Sequence, residues 1–183
     1  MNSALAERGI SHVVTVVGPV DFEAAYRAHV PAIYRFCLIQ MRHPDAAEDA
    51  TADVFAAALR AWHRVDKETN VRQWLFRIAR NVTIDHYRAR RRRERFQRIL
   101  THLPRDQAAG DPELQVALRE DVRRVTKAIA RLGRRDRLLV GLRVAGDLPH
   151  ADIARVMGMS EAAVRVAIHR ALKRVREDLR DGE

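Results

Sequence analysis

The chain has a single cysteine, and this scarcity excludes two classes of protein. Cys37 is the one thiol among 183 residues, so neither an internal disulfide framework nor a cysteine-based zinc site is possible. It lies in an apolar helical run, residues 34–39, where a buried structural thiol is expected rather than a reactive one. The eight histidines are scattered without metal-ligand spacing, so no metal and no other cofactor is predicted.

Long apolar stretches and alternating apolar residues are also lacking. No run approaches the roughly 20 apolar residues of a membrane span, and residues 1–20 lack the charged start and continuous apolar core of a signal peptide. We therefore expect a cytoplasmic protein. Aromatics make up only 5% of the chain, and the one β-like patch, residues 13–17, is too short to form a sheet. The predicted fold class is all-α.

What the chain has in excess is arginine, and its charge is unevenly distributed. The net charge is +10, with +6 in residues 85–105 and +7 in residues 123–183, whereas residues 106–122 sum to −4 and residues 1–63 to −2. Two basic blocks separated by an acidic segment predict two surfaces that face phosphates. The alternative is that the arginines only form solvated helix faces.

Apolar spacing predicts three helices in the first half of the chain. Apolar residues recur every three or four positions from Phe22 to Met41, and Pro44 then suits the first turn of a second helix. A third helix begins at Val71, after a polar loop, and runs into an arginine cluster. The apolar faces of these three helices can close one small core.

The second half of the chain predicts four more helices, of which the last two have the pattern of a helix-turn-helix. Residues 151–157 and 161–179 flank a turn in which Gly158 can take a positive φ and Ser160 can cap the next helix. The second helix of such a pair can lie in a DNA major groove. Its polar side chains are Arg165, His169, Arg170, Lys173, Arg174 and Arg176.

The arginine cluster at the end of the third helix is a second candidate for DNA contact. Residues 88–95 hold six guanidiniums, which grip phosphates without sequence selectivity. The same helix carries Asn81, Asp85 and His86 just before the cluster, and these polar groups can face bases. Contact with DNA is therefore favoured over a merely solvated face.

Motifs in both halves resemble the extracytoplasmic-function (ECF) group of the sigma-70 family of bacterial RNA polymerase sigma factors. The likeness covers about residues 21–93 and 122–179, in the family's order. The matching segments are residues 47–55 and 74–88 for region 2, and residues 132–137, 152–160 and 164–171 for region 4.

The resemblance implies a non-enzymatic subunit that binds core RNA polymerase, recognises the −35 and −10 promoter elements and promotes DNA opening. It also implies an anti-sigma factor as a partner, and two small helical domains joined by a flexible linker. The implied organisation is a flexible extension at residues 1–20, a region 2-like domain at 21–96, a linker at 97–111 and a four-helix region 4-like domain at 112–183.

Residue roles follow from the same resemblance. Residues that match the reader of the single-stranded −10 element are Lys67, Asn70, Asn81, Asp85, Arg88, Arg91 and Arg92. Residues that match the reader of the duplex −35 element are Ser160, Arg165, His169, Arg170 and Lys173. Residues that match the polymerase-binding helix are Glu48, Asp49, Asp53 and Phe55.

Five positions depart from the family's usual residues. Gln is usual at Ala52, Pro at Gly133 and Thr at Ala163, while Ser and Arg are usual at Val166 and Ala167. The predicted recognition helix therefore lacks two of the usual polar contacts with the −35 element.

Two other classes of protein compete with this interpretation. A stand-alone helix-turn-helix regulator would bind duplex operators as a dimer, but it would need neither a single-strand reader nor an acidic helix for polymerase. An arginine-rich nuclease would need a carboxylate cluster with metal-site geometry. Asp49 and Asp53, one helical turn apart, are more simply surface acids.

Overall fold

The computed structural model describes residues 21–100 and 120–181, and these two ranges are helical without any strand. The prediction of an all-α fold is confirmed. The helices are α1 (Phe22–Met41), α2 (Pro44–Ala61), α3 (Val71–Leu100), α4 (Glu120–Arg131), α5 (Arg134–Val144), α6 (His150–Met157) and α7 (Glu161–Arg180), with a short 3₁₀ turn at Trp62–Arg64 after α2.

The boundary predicted between the first domain and the linker differs from the observed end of α3. This helix continues to Leu100, four residues into the segment predicted as a linker at residues 97–111. The predictions for the extension at residues 1–20, for the rest of the linker and for the start of the fourth helix lie outside the described residues.

The helix ends follow the predicted capping chemistry. Ser160 Oγ accepts a hydrogen bond from the Ala163 amide at 3.2 Å, and Gly158 ends α6 with φ = 66°, a conformation that glycine adopts without strain. Pro44 occupies the first turn of α2, where its missing N–H has no helical partner to lose. Pro31 lies inside α1, which runs through it without a break.

The first three helices pack around aromatic and small side chains. The rings of Phe36 and Phe76 are fully buried and meet edge to face, with their centroids 5.5 Å apart. A second aromatic contact fixes the segment between α2 and α3, because Trp62 is 1% exposed and lies 5.8 Å from the ring of Trp74. The loop before α3 is thereby flanked by two tryptophans that pack against each other.

The two halves of the chain share one large apolar cluster. It joins Phe36 and Phe76 from the first half to Leu139, Leu142 and Ile153 from the second half. The core predicted for the first three helices therefore does not close on itself but continues into α5 and into the helix-turn-helix. A smaller cluster packs α4 against α5 and α7.

Arg137 shows how a charged residue fits into this packing. Its guanidinium is buried and donates hydrogen bonds to the carbonyl oxygens of Leu132 and Ala130, at 3.0 and 3.4 Å. These bonds satisfy carbonyl groups at the end of α4 that no helical N–H can reach. Burial lowers the pKa of Arg137, and the positive charge of Arg42 adds to this shift.

No helix within residues 21–100 and 120–181 has both the length and the apolar character that crossing a membrane requires.

Candidate nucleic-acid and protein interfaces

The loop between α2 and α3 is held in shape by its own side chains. Asp66 accepts hydrogen bonds from the Thr69 hydroxyl at 2.6 Å and from the Glu68 amide at 3.1 Å, and the bond from Thr69 holds the pKa of Asp66 below its usual range. Val65 anchors the start of the loop, since its side chain is 3% exposed. The polar loop predicted over residues 65–70 is therefore an ordered turn with an exposed rim.

An open pocket lies between this loop and the solvent-facing side of α3. Its volume is about 530 Å³, which is of the size that takes a small planar ligand. Ring, guanidinium and amide groups are all present in its wall, so it can combine stacking with hydrogen bonding. The lining residues are Ala57, Ala61, Arg64, Thr69, Trp74, Arg77, Ile78 and Asn81.

The pocket continues into a polar stripe along α3. Arg77, Asn81 and Asp85 are spaced by four residues and Arg88 follows after three, so they lie on one face of the helix. All four are exposed. Asn81 accepts a hydrogen bond from Arg80 Nη1 at 3.0 Å, and Arg88 Nη1 is 3.4 Å from Asp85 Oδ1. The structure thus brings three of the predicted −10 residues together beside the pocket.

Other predicted −10 residues lie around this stripe. Lys67 is exposed on the loop, and Arg92 is exposed farther along α3. Asn70 has a structural role as well, because its Oδ1 accepts a hydrogen bond from the Gln73 amide at 3.0 Å and so caps α3. The Cζ atom of Arg91 lies 5.4 Å from the centre of the Tyr87 ring.

Three polar residues of the pocket were absent from the predicted set. Arg64, Thr69 and Arg77 line it together with Asn81. Arg77 had a signal in the sequence, since it stands one helical turn before Asn81. Arg64 and Thr69 had none, because their position depends on how the 3₁₀ turn and the loop fold back onto α3.

The second candidate surface is the outward face of α7. Its inward side is buried: Val164 and Ile168 lie in the large shared cluster, and Ala171 and Val175 lie in the smaller one. The residues predicted to meet duplex DNA lie on the opposite, exposed face: Ser160, Arg165, His169, Arg170 and Lys173.

Two of these exposed basic side chains have acidic neighbours one turn away. Arg165 Nη2 is 3.1 Å from Glu161 Oε1, and Lys173 Nζ is 3.7 Å from Glu177 Oε1. Both ion pairs are exposed to solvent and therefore weak, so each basic side chain can leave its carboxylate and bind another anion. Val166 is also 49% exposed on this face.

The third candidate surface is the acidic side of α2. Glu48 and Asp49 are exposed, whereas Asp53 Oδ2 lies 2.7 Å from His86 Nε2 on α3. Phe55 is 6% exposed, and its ring meets Tyr26 edge to face at 4.6 Å. The structure therefore places Phe55 in the core.

No group of three histidine, cysteine, aspartate or glutamate side chains is arranged to hold a metal ion in the part of the chain that the structure describes.

Comparison with known protein families matches each half of the chain to a region of the sigma-70 family. The family model of sigma-70 region 2 matches residues 25–93, and that of sigma-70 region 4 matches residues 123–175. The first match contains the pocket and the acidic helix, and the second contains the helix-turn-helix.

Curated relatives match across both halves. The chain is 35% identical over 159 residues to the ECF RNA polymerase sigma factor ShbA of Streptomyces griseus, which covers 81% of this chain and 83% of ShbA. It is 28% identical over 164 residues to the ECF RNA polymerase sigma factor SigX of Bacillus subtilis, which covers 86% and 83%.

A solved structure shares the fold. The sigma factor RpoE of Bartonella quintana, determined in complex with the anti-sigma factor NepR, superposes with a TM-score of 0.71 at 24% identity and covers 87% of this chain and 96% of that chain.

Proposed function

The chain belongs to the ECF group of the sigma-70 family, and we propose that it is an alternative sigma factor that directs core RNA polymerase to selected promoters. It recognises promoter DNA and promotes opening of the two strands, and it does so by binding and not by catalysing a reaction. Its partners are in the cytoplasm. One observation carries this proposal most strongly. A single chain combines an open pocket beside Asn81 with an outward-facing recognition helix, and a stand-alone duplex-binding regulator needs only the second.

We propose that the pocket and the polar stripe on α3 bind the −10 element as a single strand. Flipping a base out of the duplex costs a few kcal/mol, and stacking together with hydrogen bonds to the captured base offsets this cost. Trp74 and Arg77 offer a ring and a planar cation, and Asn81 offers an amide donor and acceptor. Arg88 and Arg92 then meet the phosphates of the same strand.

We propose that α7 reads the −35 element in the major groove. Residues near the start of a recognition helix touch base edges and later ones meet phosphates, which assigns Arg165 to a base and Lys173 to the backbone. Val166 offers apolar surface that suits a thymine methyl group. The −35 readout of this chain therefore uses fewer polar side chains than is usual in the family.

We propose that core polymerase binds the acidic side of α2 through Glu48, Asp49 and Asp53. An acidic surface on a protein of net charge +10 is suited to a protein partner and not to DNA. By analogy with RpoE of Bartonella quintana, which was determined with NepR, an anti-sigma factor is a second partner.

Reconstituted transcription tests the proposed function. The purified chain and core polymerase are mixed with a library of promoter fragments from the source genome, and the 5′ ends of the transcripts are mapped. We expect start sites that share two upstream motifs and that vanish when the chain is left out. Tight binding to duplex DNA without any association with core polymerase would instead support a stand-alone regulator.

Replacement of Asn81 tests the −10 assignment. Asn81→Ala removes the amide at the mouth of the pocket, and we expect it to impair promoter opening far more than duplex binding. Permanganate reactivity of unpaired thymines measures opening, and gel shift of the closed complex measures binding. Equal losses in the two assays would contradict the assigned role of Asn81.

Replacement of Arg165 tests the −35 assignment. Arg165→Ala is expected to weaken binding to the cognate −35 duplex by about 1–3 kcal/mol, the worth of one good base contact. Arg176→Ala serves as the matched control, because Arg176 is exposed on the same helix about three turns later. A loss for Arg165→Ala that is uniform across −35 sequence variants would mark Arg165 as a phosphate contact.

A further inference from the structure

The last part of α3 projects beyond the packed core. Among the side chains of α3 up to Phe96, Thr83 is the last that is buried, with 3% of its surface exposed. Residues 88–96, which we call the projecting segment, are all exposed or half-buried. At 1.5 Å per residue the segment is about 12 Å long. Core packing therefore does not explain why it is helical.

The projecting segment concentrates positive charge. It holds six arginines and one acid, Glu94, whose Oε1 accepts a hydrogen bond from Arg90 Nε at 2.9 Å. Arginines four residues apart, such as Arg91 and Arg95, lie next to each other on the helix and repel. A polyanion that neutralises the arginines would stabilise a segment that the core does not.

The projecting segment ends in an exposed aromatic ring. Phe96 is 68% exposed, more than any other large apolar side chain of the described residues. Single exposed apolar residues are common on surfaces, but Phe96 continues the polar stripe on α3. It stands eleven residues after Asp85, which is three turns and about 20° farther round the helix, and Arg92 lies about 20° to the other side. Asp85, Arg92 and Phe96 therefore share one face.

Arginines flank this face on both sides. At about 100° per residue, Arg93 lies about 80° to one side of the line between Arg92 and Phe96, and Arg95 lies about 80° to the other. A single strand presents one row of phosphates, whereas a duplex groove has a row on each wall. The major groove is about 12 Å wide and admits an α-helix. The arrangement thus fits a duplex groove, with the Phe96 ring toward its floor.

We propose that the projecting segment is a third promoter-reading element, which lies in the major groove of the duplex beside the −10 element. Arg93 and Arg95 contact phosphates of the two strands, and Phe96 contacts the C5-methyl group of a thymine. The identity of this duplex as promoter DNA rests on the proposed function, whereas the shape and the charge of the segment do not.

Helix geometry gives the position of the thymine. Phe96 stands 15 residues after Asn81, which is about 22 Å along α3 and equals about six or seven base pairs at 3.4 Å each. Since the strands separate from the −10 element toward the start site, the duplex beside this element lies on its −35 side. We therefore expect the thymine about six or seven base pairs upstream of the base that the pocket captures.

Transcription from a promoter library tests the contact. The base pairs between the two motifs are randomised in a promoter that the wild-type holoenzyme uses, and the transcripts are counted by sequencing. We expect a preference of about fourfold for thymine at one position of this window, the worth of one buried methyl group. Phe96→Ala should lose this preference and keep those for the −10 and −35 elements, and Phe96→Leu, which has an apolar side chain, should restore it.

Removal of the methyl group from the DNA tests the same contact without a change in the protein. Uracil replaces thymine at the preferred position, and fluorescence anisotropy measures binding of the labelled duplex to the holoenzyme at low temperature, before the strands open. The affinity of the wild type should fall about fourfold. The affinity of the Phe96→Ala holoenzyme should be the same for both duplexes.

Salt dependence tests the two arginines. Arg93→Ala and Arg95→Ala should each reduce the slope of log affinity against log salt concentration by about one, because each removes a phosphate contact. Arg90→Ala is the matched control, since Arg90 is paired with Glu94 on the opposite side of the helix, and its slope should equal that of the wild type.

The outcomes separate this inference from the proposed function. The same thymine preference in Phe96→Ala and the wild type, or no effect of uracil, would overturn the base contact. So would a larger effect of Phe96→Ala on DNA that is unpaired at the preferred position than on the full duplex, or a loss of stability in Phe96→Ala, which would show that the ring packs on protein. Equal salt slopes in all three arginine variants would overturn the phosphate contacts. Failure of the wild type to start transcription at any promoter would overturn the proposed function as well.

Discussion

Truncation of Phe76 to alanine is expected to lower the free energy of unfolding by about 3–5 kcal/mol. The ring is fully buried, packs edge to face on Phe36 with centroids 5.5 Å apart, and lies against Gly146 of the second half. Its removal loses the transfer free energy of a phenyl group and leaves a cavity that helices from both halves must collapse around. Since a domain of this kind is stable by only about 5–15 kcal/mol, a single truncation removes a large part of the total.

Urea denaturation followed by far-ultraviolet circular dichroism measures this loss. Phe96→Ala is the matched control, because Phe96 lies on the same helix with 68% of its surface exposed, and its truncation is expected to change stability by no more than about 0.5 kcal/mol. Because the Phe76 ring touches both halves, its truncation should lower the stability of the whole chain in one transition. A loss below about 1 kcal/mol, or two separate transitions of which only one shifts, would contradict the shared core.

The fold was predictable from the sequence wherever local chemistry decides it. Pro44 and Ser160 begin helices, and Gly158 ends one, because each residue has a backbone or capping preference that acts within a few positions. Helix α3 continues four residues beyond residue 96, where the first domain was predicted to end, for a related reason. An arginine-rich run is a good helix former, and residues 71–103 contain no Gly or Pro that would stop α3 before Leu100.

The packing of one half on the other was not predictable from local patterns. Gly146 could be predicted to end a helix, but nothing near it in sequence shows that Phe76 packs against it from 70 positions earlier. Gly141 gave no turn signal at all, because it lies in the middle of α5. Its role is to let α1 approach, which only the three-dimensional contact with Gln40 and Phe36 shows.

The candidate site shows the same division. The stripe with Asn81, Asp85 and Arg88 follows from helical spacing, and the structure places these residues on one exposed face. Phe55 was assigned to polymerase binding through the resemblance, yet its own spacing with Val54 and Ala58 is that of a core residue, and it is buried. At Phe55 the role implied by the family resemblance disagrees with the spacing of apolar residues along α2. The apolar spacing predicted correctly that the side chain is buried.

Cys37 is expected to be nearly inert toward alkylation in the folded protein. Burial raises the pKa of its thiol from 9.0 to about 11, against a smaller opposing effect of the hydrogen bond with Thr51. Because only the thiolate reacts, this shift alone slows alkylation at about pH 8 by about 100-fold relative to the unfolded chain. The rate with iodoacetamide, in buffer and in denaturing urea, measures the ratio. A cysteine at Ala56 in a Cys37→Ala background is the exposed control, and a native rate for Cys37 within about tenfold of the unfolded rate would contradict the buried, raised-pKa thiol.

The same shift sets the direction in which stability changes with pH. The thiol is a group whose pKa is higher in the folded state than in the unfolded state, so its contribution is fully present below about pH 9 and is lost as the pH rises toward 11. Within that window the free energy of unfolding should fall by about 1.4 kcal/mol per pH unit. Burial also raises the pKa of Tyr34, with the same sign, but Tyr34 is present in both wild type and Cys37→Ala. Urea denaturation at about pH 8 and about pH 10.5 gives the change in the free energy of unfolding for each protein, and the difference between the two changes is due to Cys37. An equal change in both proteins would show that the Cys37 thiolate is as stable in the folded core as in water.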